Sequence, residues 1–134
     1  MPKQDVICLT PRYVLHEDRQ PIGPDVVQDA HGRSFLAIYG FSGKTAYDRF
    51  LQNSEGDLRP YPLMKAYLQN RLQEDQNQTC IVILDAESPV ADDVDAATIE
   101  HVLAAQNNPS PQLARDFGMS FCSTRNAYVP TESD

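Results

Sequence analysis

Gly43-Lys44-Thr45 and Asp85 are the residues of this chain whose types most invite chemistry. A glycine, a lysine and a hydroxyl at a strand-to-helix turn can cradle phosphate, and an aspartate closing a second apolar strand can hold Mg²⁺. The required pattern, however, is GxxxxGK[ST], whose first glycine lets backbone N–H groups wrap the phosphates. Counting back from Gly43, that position is Ile38, and Gly40 comes two residues late. A β-branched residue there belongs to the strand. The simpler reading is a glycine turn into a helix with Lys44 exposed in its first turn.

Other chemistry-bearing residues are scattered. Asp85, Glu87, Asp92, Asp93 and Asp95 form an acidic cluster without the spacing of a calcium loop, and acids ahead of a helix are what its N-terminal dipole favours. No metal site is therefore expected, and no cofactor. His16, His31 and His101 fall in two loops and on a helix, and none neighbours a serine set on a glycine elbow. Cys8, Cys80 and Cys122 make no CxxC pair, and an odd count without a secretory signal argues against a disulfide framework. No catalytic residue is assigned from these patterns.

The elements that must position these residues centre on Ser34–Gln52. Phe35-Leu36-Ala37-Ile38-Tyr39 reads as a strand, Gly40-Phe41-Ser42-Gly43 as a turn, and residues 43–53 as a helix with Ala46, Tyr47, Phe50 and Leu51 on one face. Upstream, Val6–Leu9 and Tyr13–Leu15 predict one edge strand broken at Pro11 or two short strands, and residues 16–33 a long flexible loop. Downstream, Pro60-Tyr61-Pro62 is expected to open a second helix striped by Met64, Tyr67, Leu68 and Leu72. Thr79–Leu84 is continuously apolar, which predicts a central strand buried on both faces. Asp92, Asp93 or Asp95 is expected to cap a third helix carrying Ile99, Val102 and Leu103. A helical turn or two at 113–117, a last short strand at 120–123 or 127–129, and a disordered tail at 130–134 complete the expectation.

That order predicts a single α/β (or α+β) domain over residues 1–134, with a small mixed sheet of about four to five strands covered by about three to four helices. The residues from 5 to 103 resemble the bacterial SseB-type domain, named for enhanced serine sensitivity. Phe35–Ser42 is similar to its apolar strand and turn, Ile81–Asp85 to its buried strand with Asp85-Ala86 where Asn-Pro is usual, and Asp95–Leu103 to its closing helix. The resemblance implies a fold and no catalytic residues.

Eleven Lys and Arg against nineteen Asp and Glu give a net charge of −8. Such a surface repels phosphate backbones, so nucleic acid is excluded as an expected partner. No apolar run reaches the ~20 residues of a bilayer span, and the start, MPKQDVICLTP, lacks an apolar core of signal-peptide length. The expectation is a cytoplasmic, non-enzymatic accessory module that binds another protein, with Tyr39, Phe41, Lys44 and Tyr47 as the partner surface. One alternative is a nucleotide- or phosphate-binding enzyme using Gly43, Lys44, Thr45 and Asp85. Another is an acidic mimic or inhibitor that covers a basic surface.

Overall fold

The computed structural model describes residues 7–28, 32–54, 56–74, 78–107 and 112–133. His31 lies outside the described residues. Among the described residues, ten strands and three helices follow one another: β1 (Ile7–Leu9), β2 (Tyr13–Glu17), β3 (Gln20–Pro21), β4 (Phe35–Phe41), α1 (Lys44–Gln52), β5 (Arg59–Pro62), α2 (Lys65–Glu74), β6 (Thr79–Leu84), β7 (Asp93–Thr98), α3 (Ile99–Asn107), β8 (Gln112–Ala114), β9 (Phe117–Cys122) and β10 (Ala127–Ser133).

Eight of the strands form one mixed sheet in the order β10-β9-β7-β6-β4-β2-β3, with β5 added on β2, while β1 and β8 pair separately. This corrects the expected small sheet of four to five strands under three to four helices. The fold is a mixed α/β one in which strands predominate. β4 and β6 run parallel, from Phe35 opposite Thr79 to Gly40 opposite Leu84, and every other pairing in the sheet's path is antiparallel.

Period-two alternation divides the interior into two cores. Phe35, Ala37, Tyr39 and Phe41 of β4 and Ile81 and Ile83 of β6 join Val94, Ala96, Phe117, Met119 and Tyr128 on one face. Phe50 of α1 seals that face, its ring 4.6 Å from Tyr39 and 5.3 Å from Phe41. Ile38, Cys80, Val82 and Leu84 turn to the opposite face, where Leu68 of α2 and Ile99, Val102 and Leu103 of α3 cover them. The apolar run 79–84 thus occupies a central position because both of its faces are lined with helix-borne side chains. Gly40 is required between the cores: a Cβ there would stand 2.4 Å from Val82 Cγ1 and 2.9 Å from Pro11 Cβ.

Four local expectations change. Arg59-Pro60-Tyr61-Pro62 is not the start of a helix but β5, paired with β2, and α2 begins at Lys65. Asp93–Thr98 is β7 rather than helix cap and first turn, because Val94 and Ala96 alternate inward against β6 and β9. The 113–117 stretch forms β8 and the start of β9, and β10 continues through Ser133 along β9 where a disordered tail was expected.

Residues 16–27, within the expected loop, are also organised. They open with the end of β2 and the β2–β3 hairpin, then lace two distant strands together. Tyr39 N–H donates to Ile22 O at 2.9 Å, Val27 N–H to Tyr128 O at 3.0 Å, and Tyr128 N–H to Asp25 O at 2.9 Å. Residues 22–27 therefore connect the flank of β4 with β10 and curl the sheet around the Tyr39–Tyr128 core.

Candidate interaction groove

The carboxyl ends of parallel strands β4 and β6 are where open α/β sheets place ligands. Here Asp85 ties the two strand ends together. Asp85 follows β6 in the left-handed region, with φ 49, and its carboxylate accepts Ser42 N–H at 2.7 Å and Ser42 Oγ–H at 2.8 Å. Asp85 N–H in turn donates to Gly40 O at 2.9 Å. Asp85 fastens the β4–α1 turn to the end of β6. Lys44 is exposed and pairs with Asp48 one helical turn on, and that carboxylate raises the lysine's pKa, first through the hydrogen bond and then through charge. Thr45 is exposed, and Gly43 caps α1 with an extended backbone any residue can adopt.

The acids after β6 line an open cavity of about 750 Å³. Most of them are engaged within the fold. Glu87 faces Arg49 at 3.5 Å, Asp93 accepts the Ser120 hydroxyl at 2.8 Å, and Asp95 holds Arg115 at 2.6 Å. Among the described residues no group of three or more His, Cys, Asp or Glu side chains is arranged to hold a metal ion.

The three cysteines are free thiols. Cys8 Sγ lies 3.7 Å from Asp95 Oδ2, and its pKa is pushed up to about 11, first by burial and then by the Asp95 charge and hydrogen bond. A thiol so held is a poor nucleophile at neutral pH. His101 Nδ1 stands 3.2 Å from Asp116 Oδ2, which also accepts Thr98 N–H at 2.8 Å, while Thr98 Oγ1 accepts His101 N–H at 3.3 Å. These contacts cap α3 and tie the β8–β9 link to its start. The Thr before Ile99 is the signal that could have located this helix start from sequence.

The aromatic rim expected around the β4–α1 turn does not form. Tyr39 is 4% exposed and Phe41 0%. Both alternate toward the α1-covered face, and burial drives the Tyr39 phenol well above its ordinary pKa. Tyr47 is half-buried and packs edge-on to Tyr13 at 5.5 Å. Lys44 alone of that set is exposed.

Exposed aromatic and thioether surface collects elsewhere, between β5, α2 and the β2–β3 hairpin. A groove of about 750 Å³ runs there over Leu36, Ala37 and Ile38 of β4. It opens because β2 pairs with β4 only at Tyr13 and Val14, leaving the middle of β4 to the 22–24 segment. Gly23 permits that close approach: a Cβ on it would fall 1.7 Å from Ala37 O. On the groove's rim Tyr61 is 45% and Met64 59% exposed, and Tyr67 stands beside them half-buried.

His16 and Tyr61 are diagonal neighbours across β2 and β5, stacked with ring centroids 4.3 Å apart and planes 22° apart. Partial burial lowers the His16 pKa. Arg19 and Arg71 bring positive charge to the lining against Asp25. Arg19 sits in the two-residue hairpin turn with Asp18, both left-handed at φ 69 and 53, the backbone that a type I′ turn demands. Sequence reading gave Tyr61 and Met64 to a helix start and stripe, so their shared exposure became visible only once β5 paired with β2.

No helix of the described residues is long and apolar enough to cross a membrane. No family model matches the chain, and neither the curated proteins nor the solved structures compared with it include a significant match.

Proposed function

We propose that this protein is a non-enzymatic binding module that engages another protein through the groove between β5 and α2. The observation that carries the reading is the contiguous exposure of Tyr61 and Met64 beside Tyr67 on the rim of that groove. Tyr and Met are enriched in protein interfaces because they supply large contact area, and methionine adapts to irregular partners. Tyr61 is held by its stack on His16, so its ring is preorganised for contact and loses less freedom on binding.

Support of a second kind comes from β5 itself. Val14 pairs with Tyr61, and Leu63 N–H donates to Arg12 O at 2.8 Å, so residues 59, 61 and 63 turn their backbone toward β2. Residues 60 and 62 therefore face outward, and both are proline. The free edge offers carbonyls and no N–H donor, which blocks uncontrolled strand addition while leaving the side chains of the groove accessible.

The test is affinity capture from the native host with the wild-type chain and with a Tyr61→Ala/Met64→Ala double variant. Both side chains are exposed, so the double variant should remain folded by circular dichroism. The reading expects a defined partner that the variant loses. Identical recovery by both proteins, or recovery of no reproducible partner by the wild type, would contradict it.

A further inference from the structure

Resting on that groove as the binding surface, we infer that its occupant is an acidic peptide segment, a carboxylate side chain flanked by apolar ones, seated by side-chain contacts rather than by adding a strand. Net charge points the other way: a chain at −8 should attract basic partners. Yet exposed charges more than about 10 Å apart are largely screened at physiological salt, so the local lining decides what docks. Three cavities among the described residues differ sharply in that respect. The one after β6 is lined by Asp85, Glu87, Asp92, Asp93 and Asp95 with no Lys or Arg, and a smaller one of about 350 Å³ carries Glu17 and Asp25 alone as charges. The β5–α2 groove carries Arg19 and Arg71 against the single Asp25.

Arg71 is already engaged by other groups of the protein. Arg19 therefore supplies the reading charge: it is exposed at the tip of the hairpin, and no ion pair holds it among the described residues. Guanidinium is suited to this role because its planar fork can grip a carboxylate with two hydrogen bonds. The Tyr61, Met64 and Tyr67 surface beside it takes the apolar neighbours of that carboxylate, and the floor of Leu36 and Ile38 is apolar as well. Strand addition is closed to the ligand, since Pro60 and Pro62 occupy both outward positions of β5.

The experiment titrates the full chain with a fluorescein-labelled peptide alternating Glu with Leu and Phe, its Lys-for-Glu counterpart, and a single-stranded oligonucleotide as a non-peptide polyanion. The acidic peptide should bind about tenfold or more tightly than the basic one, weaken with added salt, and be displaced little by the oligonucleotide. Arg19→Asn, a residue that accepts the left-handed turn, should weaken it by a similar factor, and Arg19→Glu should reverse the preference, while Glu87→Lys on the other cavity should leave it unchanged. Equal or stronger binding of the basic peptide, equal competition by the oligonucleotide, or no binding of either peptide overturns the inference. If partner capture still depends on Tyr61 and Met64 in that event, the groove stands as the binding surface and only its ligand chemistry falls. Loss of that dependence removes both.

Discussion

Asp85 leaves β6 in a left-handed conformation, and from there both of its carboxylate oxygens reach Ser42, one to the backbone N–H and one to the hydroxyl. A charge-assisted pair of that kind is stronger than neutral hydrogen bonds and fixes the β4–α1 turn relative to the parallel strand beside it. Asp85→Ala removes both bonds and places a Cβ-bearing residue without αL preference at φ 49, so it should cost about 2–3 kcal/mol. Asp85→Asn keeps an acceptor for the Ser42 N–H and tolerates the backbone, so it should cost about 1 kcal/mol or less. Urea unfolding midpoints of the two variants check the order, and equal loss in both would deny Asp85 this clamping role. Cys8 and Tyr128 set an alkaline limit. Burial leads both shifts, with Asp95 adding to the first and Asp92 to the second, and the pKa values rise from 9.0 to about 11 and from 10.0 to about 12. The unfolded chain releases these protons first, so the stabilisation is complete below about pH 9 and is lost progressively toward pH 12. Thermal melting between those limits should show the fall, and Tyr128→Phe should reduce its upper part.

At the scale of elements, β5 and β7 mark where sequence reading departed from the fold. Pro60-Tyr61-Pro62 ahead of an apolar stripe carries the signature of a helix start, and only pairing with β2, set by distant residues, converts it to an edge strand. Asp93-Val94-Asp95-Ala96-Ala97-Thr98 hides its strand because alanines contribute little β propensity and the two aspartates mimic a helix cap. β4, α1 and β6 were legible for the opposite reason: their apolar runs are long, and each determines its own period. The groove escaped sequence reading because it is made by three segments that meet only in the sheet, whereas the aromatic rim proposed for β4 ignored the strand's alternation. The prolines of β5 give a prediction of their own. Pro60→Thr/Pro62→Thr adds two outward N–H donors to a free edge, while costing only about 0.4–1 kcal/mol per site through the unfolded chain. Light scattering should detect concentration-dependent self-association of the double variant, and a monodisperse protein of unchanged mass would show that the prolines do not guard this edge.

For the molecule as a whole, the curled sheet separates two surfaces of opposite character. One end carries four aspartates and Glu87, mostly tied into the fold, and the flank between β5 and α2 carries exposed Tyr61 and Met64 with arginine beside them. Internal engagement ties most of the acids to the architecture, whereas Tyr61 and Met64 leave the groove exposed as the proposed contact surface. Val90, 57% exposed beside the acidic cavity, provides a matched apolar position away from the groove. The most direct measurement replaces Met64 in one protein and Val90 in another with a photoreactive phenylalanine analogue, and irradiates each in the native host. The account predicts a discrete crosslinked protein from position 64 that disappears when Tyr61→Ala is added, with no such product from position 90. Crosslinking from position 90 but not from 64, or a product at 64 that is indifferent to Tyr61, would contradict it.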